Sequence, residues 1–211
     1  MVLRPPLAAW FNWHFEGLEN IPREGPLLIA GNHISYFDPL ADAYLLIKAG
    51  RKARFLAKSE LFDSPLKPML NGAKQIPVTR GSGSAAPLDA AKEALQDGEA
   101  VVVYPEATTT KDEEFLPMKG KVGIARLALD AQVPVLPMAV WGSQHVWRSG
   151  GHRDLRFGRP IWVRAGSPMD LSEFEETKDE IATLRKVTEL IMDELRRMVL
   201  DMRAAYPKKW S

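Results

Sequence analysis

Two short, wholly apolar runs constrain the fold more than any other feature of the chain. Pro26-Leu-Leu-Ile-Ala30 breaks off at Gly31-Asn32, and Glu99 to Tyr104 carries three consecutive valines before Pro105. Each is short, β-rich and apolar on both faces, as in a strand covered from above and below. Between and after them the pattern turns helical. Asp38-Pro39 predicts a helix start, with Asp as N-cap and Pro as first helical residue. That helix runs through Leu45, Leu46 and Ile47 and stops at Gly50. Ala53 to Ala57 and Gln75 to Thr79 read as further strands. Pro87 to Gln96 and Lys121 to Asp130 read as helices. Val133 to Trp141 reads as a strand that Pro134 and Pro137 assign to an edge or irregular position. Leu155 to Arg164 reads as strand. Residues 172–205 read as one long amphipathic helix, with Ile181, Leu184, Val187, Ile191, Leu195, Met198 and Met202 at spacings of three or four. Strands alternating with helices predict an α/β fold, a mostly parallel central sheet flanked by helices. Ligands bind such sheets beyond the carboxyl ends of the strands. The loops after 26–30 and 99–104 are therefore the expected place for chemistry.

No repeat or linker interrupts the 211 residues, so residues 1–211 are expected to form a single domain. The chain has no cysteine, which excludes disulfides, thiolate metal sites and an acyl-cysteine intermediate. Lys plus Arg is 28 against 27 for Asp plus Glu, a balance that argues against nucleic acid as a partner. The charges are nevertheless segregated. From Lys48 to Arg80 eight basic residues face two acids, a net +6, and from Asp89 to Glu114 eight acids face two lysines, a net −6. The basic segment suits the phosphates of coenzyme A, an acidic carrier protein or anionic lipid headgroups. No apolar stretch approaches the roughly 20 residues of a membrane-spanning helix, and the first residues do not form a secretory signal. Any membrane contact is then peripheral, at the cytoplasmic face of the cell membrane. Trp10, Phe11, Trp13 and Phe15 make residues 1–20 either a membrane-facing segment or part of the core. Leu61, Phe62, Leu66, Met69 and Leu70, with Lys67 and Lys74, form either an apolar lip with a basic rim or a buried helix. His14, His145 and His152 have no partner signal and read as structural or exposed. Trp141, Trp147 and Trp162 read as core.

The strongest local signal is Asn32-His33-Ile34-Ser35-Tyr36-Phe37-Asp38. A spacing of five puts His33 and Asp38 on different faces of a regular helix. With the helix starting at Asp38, however, His33 lies in the preceding loop. That loop can fold back so that the imidazole Nδ1–H donates to the Asp38 carboxylate. The bond would fix the tautomer and leave Nε2 free as a base. Taken alone, the pair favours the plainer reading of a helix cap and a surface histidine.

The segment resembles the NHxxxxD box of the glycerolipid acyltransferases, the family of the lysophosphatidic acid acyltransferases. Three more blocks follow in that family's order. Ile76-Pro-Val-Thr-Arg80 is similar to the second. Val103-Tyr-Pro-Glu-Ala-Thr-Thr109 is similar to the third, usually FPEGTRS. Val133-Pro-Val-Leu-Pro-Met-Ala139 is similar to the fourth. Lys119 to Ala128 also resembles the segment between the last two. The resemblance implies transfer of a fatty acyl group from acyl-CoA or acyl carrier protein to the hydroxyl of 1-acylglycerol 3-phosphate, giving phosphatidic acid. It implies no cofactor and no metal. His33 would be the base and Asp38 its orienter. Asn32, Arg80, Glu106, Thr108, Lys119 and Lys121 would line the substrate site, Arg80 as phosphate ligand and Glu106 orienting the acceptor. The oxyanion would be met by backbone N–H groups near the start of the Asp38 helix. One departure bears on the acceptor: the usual glycine and arginine of the third block are Ala107 and Thr109, so a bidentate anion donor is missing. Lys111, Lys119 or Lys121 could replace its charge. Glycerol 3-phosphate, a glycolipid or a lyso-aminolipid stay open as acceptors. A metal site of His33, Asp38 and Glu106 stays open as another class, as does a lipid-binding protein without catalysis. Ser35 as an acyl nucleophile is disfavoured because it lacks a GxSxG elbow.

Overall fold

The computed structural model describes residues 9–79, 85–148, 150–151 and 153–210. Arg80 and the Gly81–Ser84 stretch lie outside the described residues, as does His152. Seven strands form one sheet: β1 (Asn12–Glu16), β2 (Leu27–Gly31), β3 (Ala53–Lys58), β4 (Ile76–Val78), β5 (Ala100–Val103), β6 (Val135–Trp141) and β7 (Pro160–Ala165), in the order β1-β7-β6-β2-β5-β3-β4. Lying wholly within the described residues, the helices α1 (Asp38–Lys48), α2 (Lys67–Gly72), α3 (Ala86–Gln96), α4 (Gly123–Ala131) and α5 (Ile181–Ala205) accompany them. Strands β6, β2, β5, β3 and β4 run parallel. Strand β7 is antiparallel to β6, and β1 follows β7 in parallel. The expected α/β architecture is thus present.

The apolar runs form the centre because each face of the sheet has its own helical cover. Leu27 and Ile29 join one core with Ala41, Leu45 and Leu46 of α1. Leu28 and Ala30 join the other with Ala91 and Leu95 of α3 and Ile124 and Leu127 of α4. Helix α5 serves both, through Leu184, Val187 and Ile191 early and Met198, Val199 and Met202 late. Burying each such side chain is worth about 1.5–3 kcal/mol.

Three expectations change. The stretch 133–141 is not at an edge: β6 lies between β7 and β2 and is buried throughout. Pro137 is tolerated because it sits just outside the ladder with β7, which begins at Met138↔Ala165, while its carbonyl still accepts from the Gly166 N–H at 2.8 Å. Residues 172–205 are not one helix. Ser172–Thr177 is a 3₁₀ turn anchored by buried Phe174, and α5 begins where the apolar spacing begins, at Ile181. The strand expected from Leu155 is only Pro160–Ala165, because Asp154, Arg156 and Arg159 form an ion-paired loop before it. The N-terminal aromatics supply a further edge strand, β1. Phe11 enters the core, and Trp13 and Phe15 pack edge-on against Tyr44 of α1.

Candidate active site

The carboxyl ends of β2 and β5 lie side by side, and their loops build the site. Helix α1 starts one residue earlier than expected: Phe37 is the N-cap and Asp38 the first helical residue. Asp38 therefore does not cap the helix. It is fully buried and turns its carboxylate back over the loop before it. Oδ2 accepts from the Ile34 and Ser35 N–H groups at 2.7 Å each and from His33 Nδ1 at 2.9 Å. Oδ1 accepts from the Ser143 hydroxyl at 2.6 Å. The carboxylate can only accept, so Nδ1 carries the ring proton and Nε2 the lone pair. Nε2 makes no hydrogen bond among the described residues, and the His33 side chain keeps 13% exposure. The Tyr104 ring stacks on the imidazole at 4.3 Å and 17° and holds its plane.

Tyr104 is held in turn. Its hydroxyl donates to Asp42 Oδ2 at 2.6 Å, one helical turn after Asp38. Burial pushes the Asp42 carboxyl well above the usual carboxylate range, against the Tyr104 hydrogen bond and with help from the Asp38 charge. Burial also raises the Tyr104 phenol, with the Asp42 charge adding to it. Gly31 is required at the end of β2 because a Cβ there would stand 2.8 Å from the Tyr104 ring.

Glu106 differs from its expected role. It is 3% exposed, and its two oxygens accept from the backbone N–H groups of His33 and Met118, both at 2.9 Å. Through these two bonds it positions the His33 loop. Burial pushes its carboxyl up to about 7, against the pull of the two amides and of His33. Asn32 is likewise a positioning residue. It is fully buried, and its amide bonds both the N–H and C=O of Val140, tying β2 to β6. Thr108 is half-buried, and Lys119 and Lys121 are exposed beside the same loop, with the Lys121 N–H on the Pro105 carbonyl at 2.8 Å. The expected phosphate ligand, Arg80, lies outside the described residues.

One more expectation is overturned, and the disfavoured reading of Ser35 stays so. The N–H groups from Ile34 to Asp38 are all occupied: Tyr36 donates to Trp147 C=O, Phe37 to Ser35 Oγ and Asp38 to Ser35 C=O, besides the two on Asp38. They cannot form an oxyanion hole. Ser35 is fully buried and donates to the Trp147 carbonyl at 2.7 Å, so it is not a nucleophile. The carboxylates of Asp38 and Glu106 face N–H donors, an arrangement that repels a cation. Sequence reasoning missed Ser143, Asp42 and the stacking of Tyr104. Only Asp42 had a signal, its i, i+4 relation to Asp38.

The model of the family described as Acyltransferase matches residues 12–141 of the chain. A chloroplastic 1-acyl-sn-glycerol-3-phosphate acyltransferase of Brassica napus is 27% identical over 83% of the chain and 52% of its own length. A probable 1-acyl-sn-glycerol-3-phosphate acyltransferase of Mycoplasma pneumoniae is 32% identical over 59% of the chain and 47% of its own length. The chain thus spans about half the length of these relatives. The crystal structure of the 1-acyl-sn-glycerophosphate (LPA) acyltransferase PlsC from Thermotoga maritima superposes with a TM-score of 0.72 at 26% identity, over 93% of this chain and 74% of that one. With the NHxxxxD pair folded together at the carboxyl edge of a mostly parallel sheet, and with more than half its residues inside the family match, this chain belongs to the acyltransferase family.

Proposed function

We propose that the protein acylates the free hydroxyl of 1-acylglycerol 3-phosphate, using acyl-CoA or acyl carrier protein as donor, and releases phosphatidic acid. One observation carries the reading: His33 is locked through Nδ1 by a buried carboxylate that takes four donors, while Nε2 makes no hydrogen bond among the described residues and stays reachable. That is the construction of a general base. Nε2 takes the proton of the acceptor hydroxyl as its oxygen attacks the thioester carbonyl. Asp38 stabilises the imidazolium that forms. The tetrahedral intermediate collapses, the C–S bond breaks, and the proton on Nε2 passes to the leaving thiolate. Base catalysis of this kind contributes typically about 10²–10⁴-fold. The chemistry needs no cofactor.

A lipid acceptor places the reaction at a membrane surface, on its cytoplasmic face. No described helix is long and apolar enough to cross a membrane. Two exposed apolar groups flank the catalytic edge. Leu61, Leu66 and Met69 stand beside exposed Lys58, Lys67 and Lys74 after β3. Trp10, Leu155 and Phe157 stand before β1 and β7, whose amino-terminal ends reach the same edge. Apolar side chains ringed by cations suit an interface with anionic lipid.

The test is thiol release from palmitoyl-CoA with and without lysophosphatidic acid. Release that requires the acceptor, with phosphatidic acid as product, is expected. Acceptor-independent release would make the protein a thioesterase. Release with a glycolipid or lyso-aminolipid alone would show that the Thr109 departure changes the acceptor.

A further inference from the structure

We propose that the cavity between the loop after β6 and the C-terminal residues is a binding site for a phosphate monoester, built from Arg148, Arg156, Arg159 and Lys209. The cavity measures about 360 Å³ and is floored by Phe115, Gln144 and His145, with Trp210 at its side. Its walls hold four cations against a single carboxylate, Asp154. Asp154 accepts from Arg156 Nε at 2.8 Å and Arg159 Nη2 at 2.6 Å, and cannot neutralise the set. Arg148 and Lys209 have no ion pair among the described residues, and Arg148 lies over the Phe115 ring at 4.9 Å. Arg159 is 2% exposed, yet its Nε has no hydrogen-bond partner among the described residues. A buried, unpartnered guanidinium N–H is costly until an acceptor reaches it. Guanidinium groups match the oxygens of a phosphate.

The floor feels the positive charge of the walls. Burial first, and the Arg159 charge second, push His145 down to about 4, so the ring is neutral and adds no further positive charge. The cavity also adjoins the reaction centre. Gln144 and His145 directly follow Ser143, whose hydroxyl holds Asp38. Phe115 lies between Thr110, whose N–H holds the His33 carbonyl, and Met118, whose N–H holds Glu106. Apart from Phe115, the residues that line the cavity lie beyond the segment that matches the family. The site supplies, beyond the carboxyl end of β6, the kind of charge that Thr109 does not. Both proposed substrates carry a phosphate monoester: the donor on the ribose of coenzyme A, the acceptor on glycerol. Which of them enters rests on the proposed acyl transfer; the site itself rests on the cavity and its charges.

Isothermal titration with inorganic phosphate, adenosine 3′,5′-bisphosphate and glycerol 3-phosphate tests it without turnover, so a failure of the proposed reaction is seen separately. The wild type should bind phosphate, and Arg148→Gln combined with Lys209→Gln should weaken binding by roughly tenfold or more. Arg185→Gln, exposed on α5, should leave it unchanged. Tighter binding of the bisphosphate assigns the site to the donor, and tighter binding of glycerol 3-phosphate assigns it to the acceptor. In either case KM for that substrate rises in the double variant. Absence of binding by all three at millimolar concentration, or undiminished binding in the double variant, would overturn the proposal.

Discussion

The loops after β2 and β5 and the segment after β3 lie on the same sheet edge but are built in opposite ways. Around His33 nearly every polar atom is held: four donors on Asp38, two amides on Glu106, one peptide on Asn32 and one phenol on Asp42. From Ser59 to Gly72, by contrast, Leu61, Leu66 and Met69 are exposed, with Met69 at 48%, and Leu70 is the one residue buried in the core. The first region holds a base in one geometry, which general base catalysis demands. In the proposed function the fixed region carries the chemistry and the exposed one meets the lipid surface.

Substitutions in the two regions should separate accordingly. The largest effect is expected for Asp38→Asn. The new amide sets a donor against existing donors and can no longer fix the His33 tautomer. Activity should fall about 10³–10⁴-fold, and unfolding free energy by about 2–4 kcal/mol in urea titration. Activity within tenfold of wild type would mean that Asp38 is only structural.

Glu106 gives the next effect, and it depends on pH. Its folded value of about 7 lies above the ordinary 4.5, so the folded chain holds this proton more tightly than the unfolded chain. The resulting stability is fully present below about pH 4.5 and is lost as pH rises from there through 7. The difference of about 2.5 in pKa corresponds to about 3 kcal/mol. Glu106→Gln should remove that part of the slope between pH 5 and 7.5. An unchanged slope in the variant would show that Glu106 is not the group responsible.

Smaller still is Ala107→Gly. Ala107 sits at φ +58°, the left-handed region, where the family's third block carries glycine. Removing the Cβ should stabilise the fold by about 0.5–1 kcal/mol. Loss of stability would mean that Ala107 does not hold this conformation in solution. The smallest effect on folding belongs to the second region. Leu66→Ser with Met69→Ser should change stability by less than about 0.5 kcal/mol while lowering activity on vesicle-borne acceptor more than on dispersed acceptor. Equal losses on both would separate these residues from membrane approach.

The same contrast explains what could be read from sequence. The runs ending at Gly31 and Tyr104 specified the central strands because an all-apolar strand has few other uses. His33 and Asp38 were legible because a helix starting at Asp38 leaves a loop between them. What escaped was long-range. Ser143 reaches Asp38 across 105 positions, and Asn32 reaches Val140 across 108, contacts that no local pattern encodes. Glu106 is legible as important, but its burial against the His33 and Met118 amides is not. His145 carried no signal, because the basic cavity around it is assembled only when β7 returns antiparallel beside β6.

The most direct measurement is acyl transfer by His33→Ala against wild type, with palmitoyl-CoA and lysophosphatidic acid and with folding checked by circular dichroism. A folded variant whose phosphatidic acid production falls by about 10³-fold or more is the predicted result. A folded variant that retains wild-type turnover would contradict the assignment of His33 Nε2 as the base.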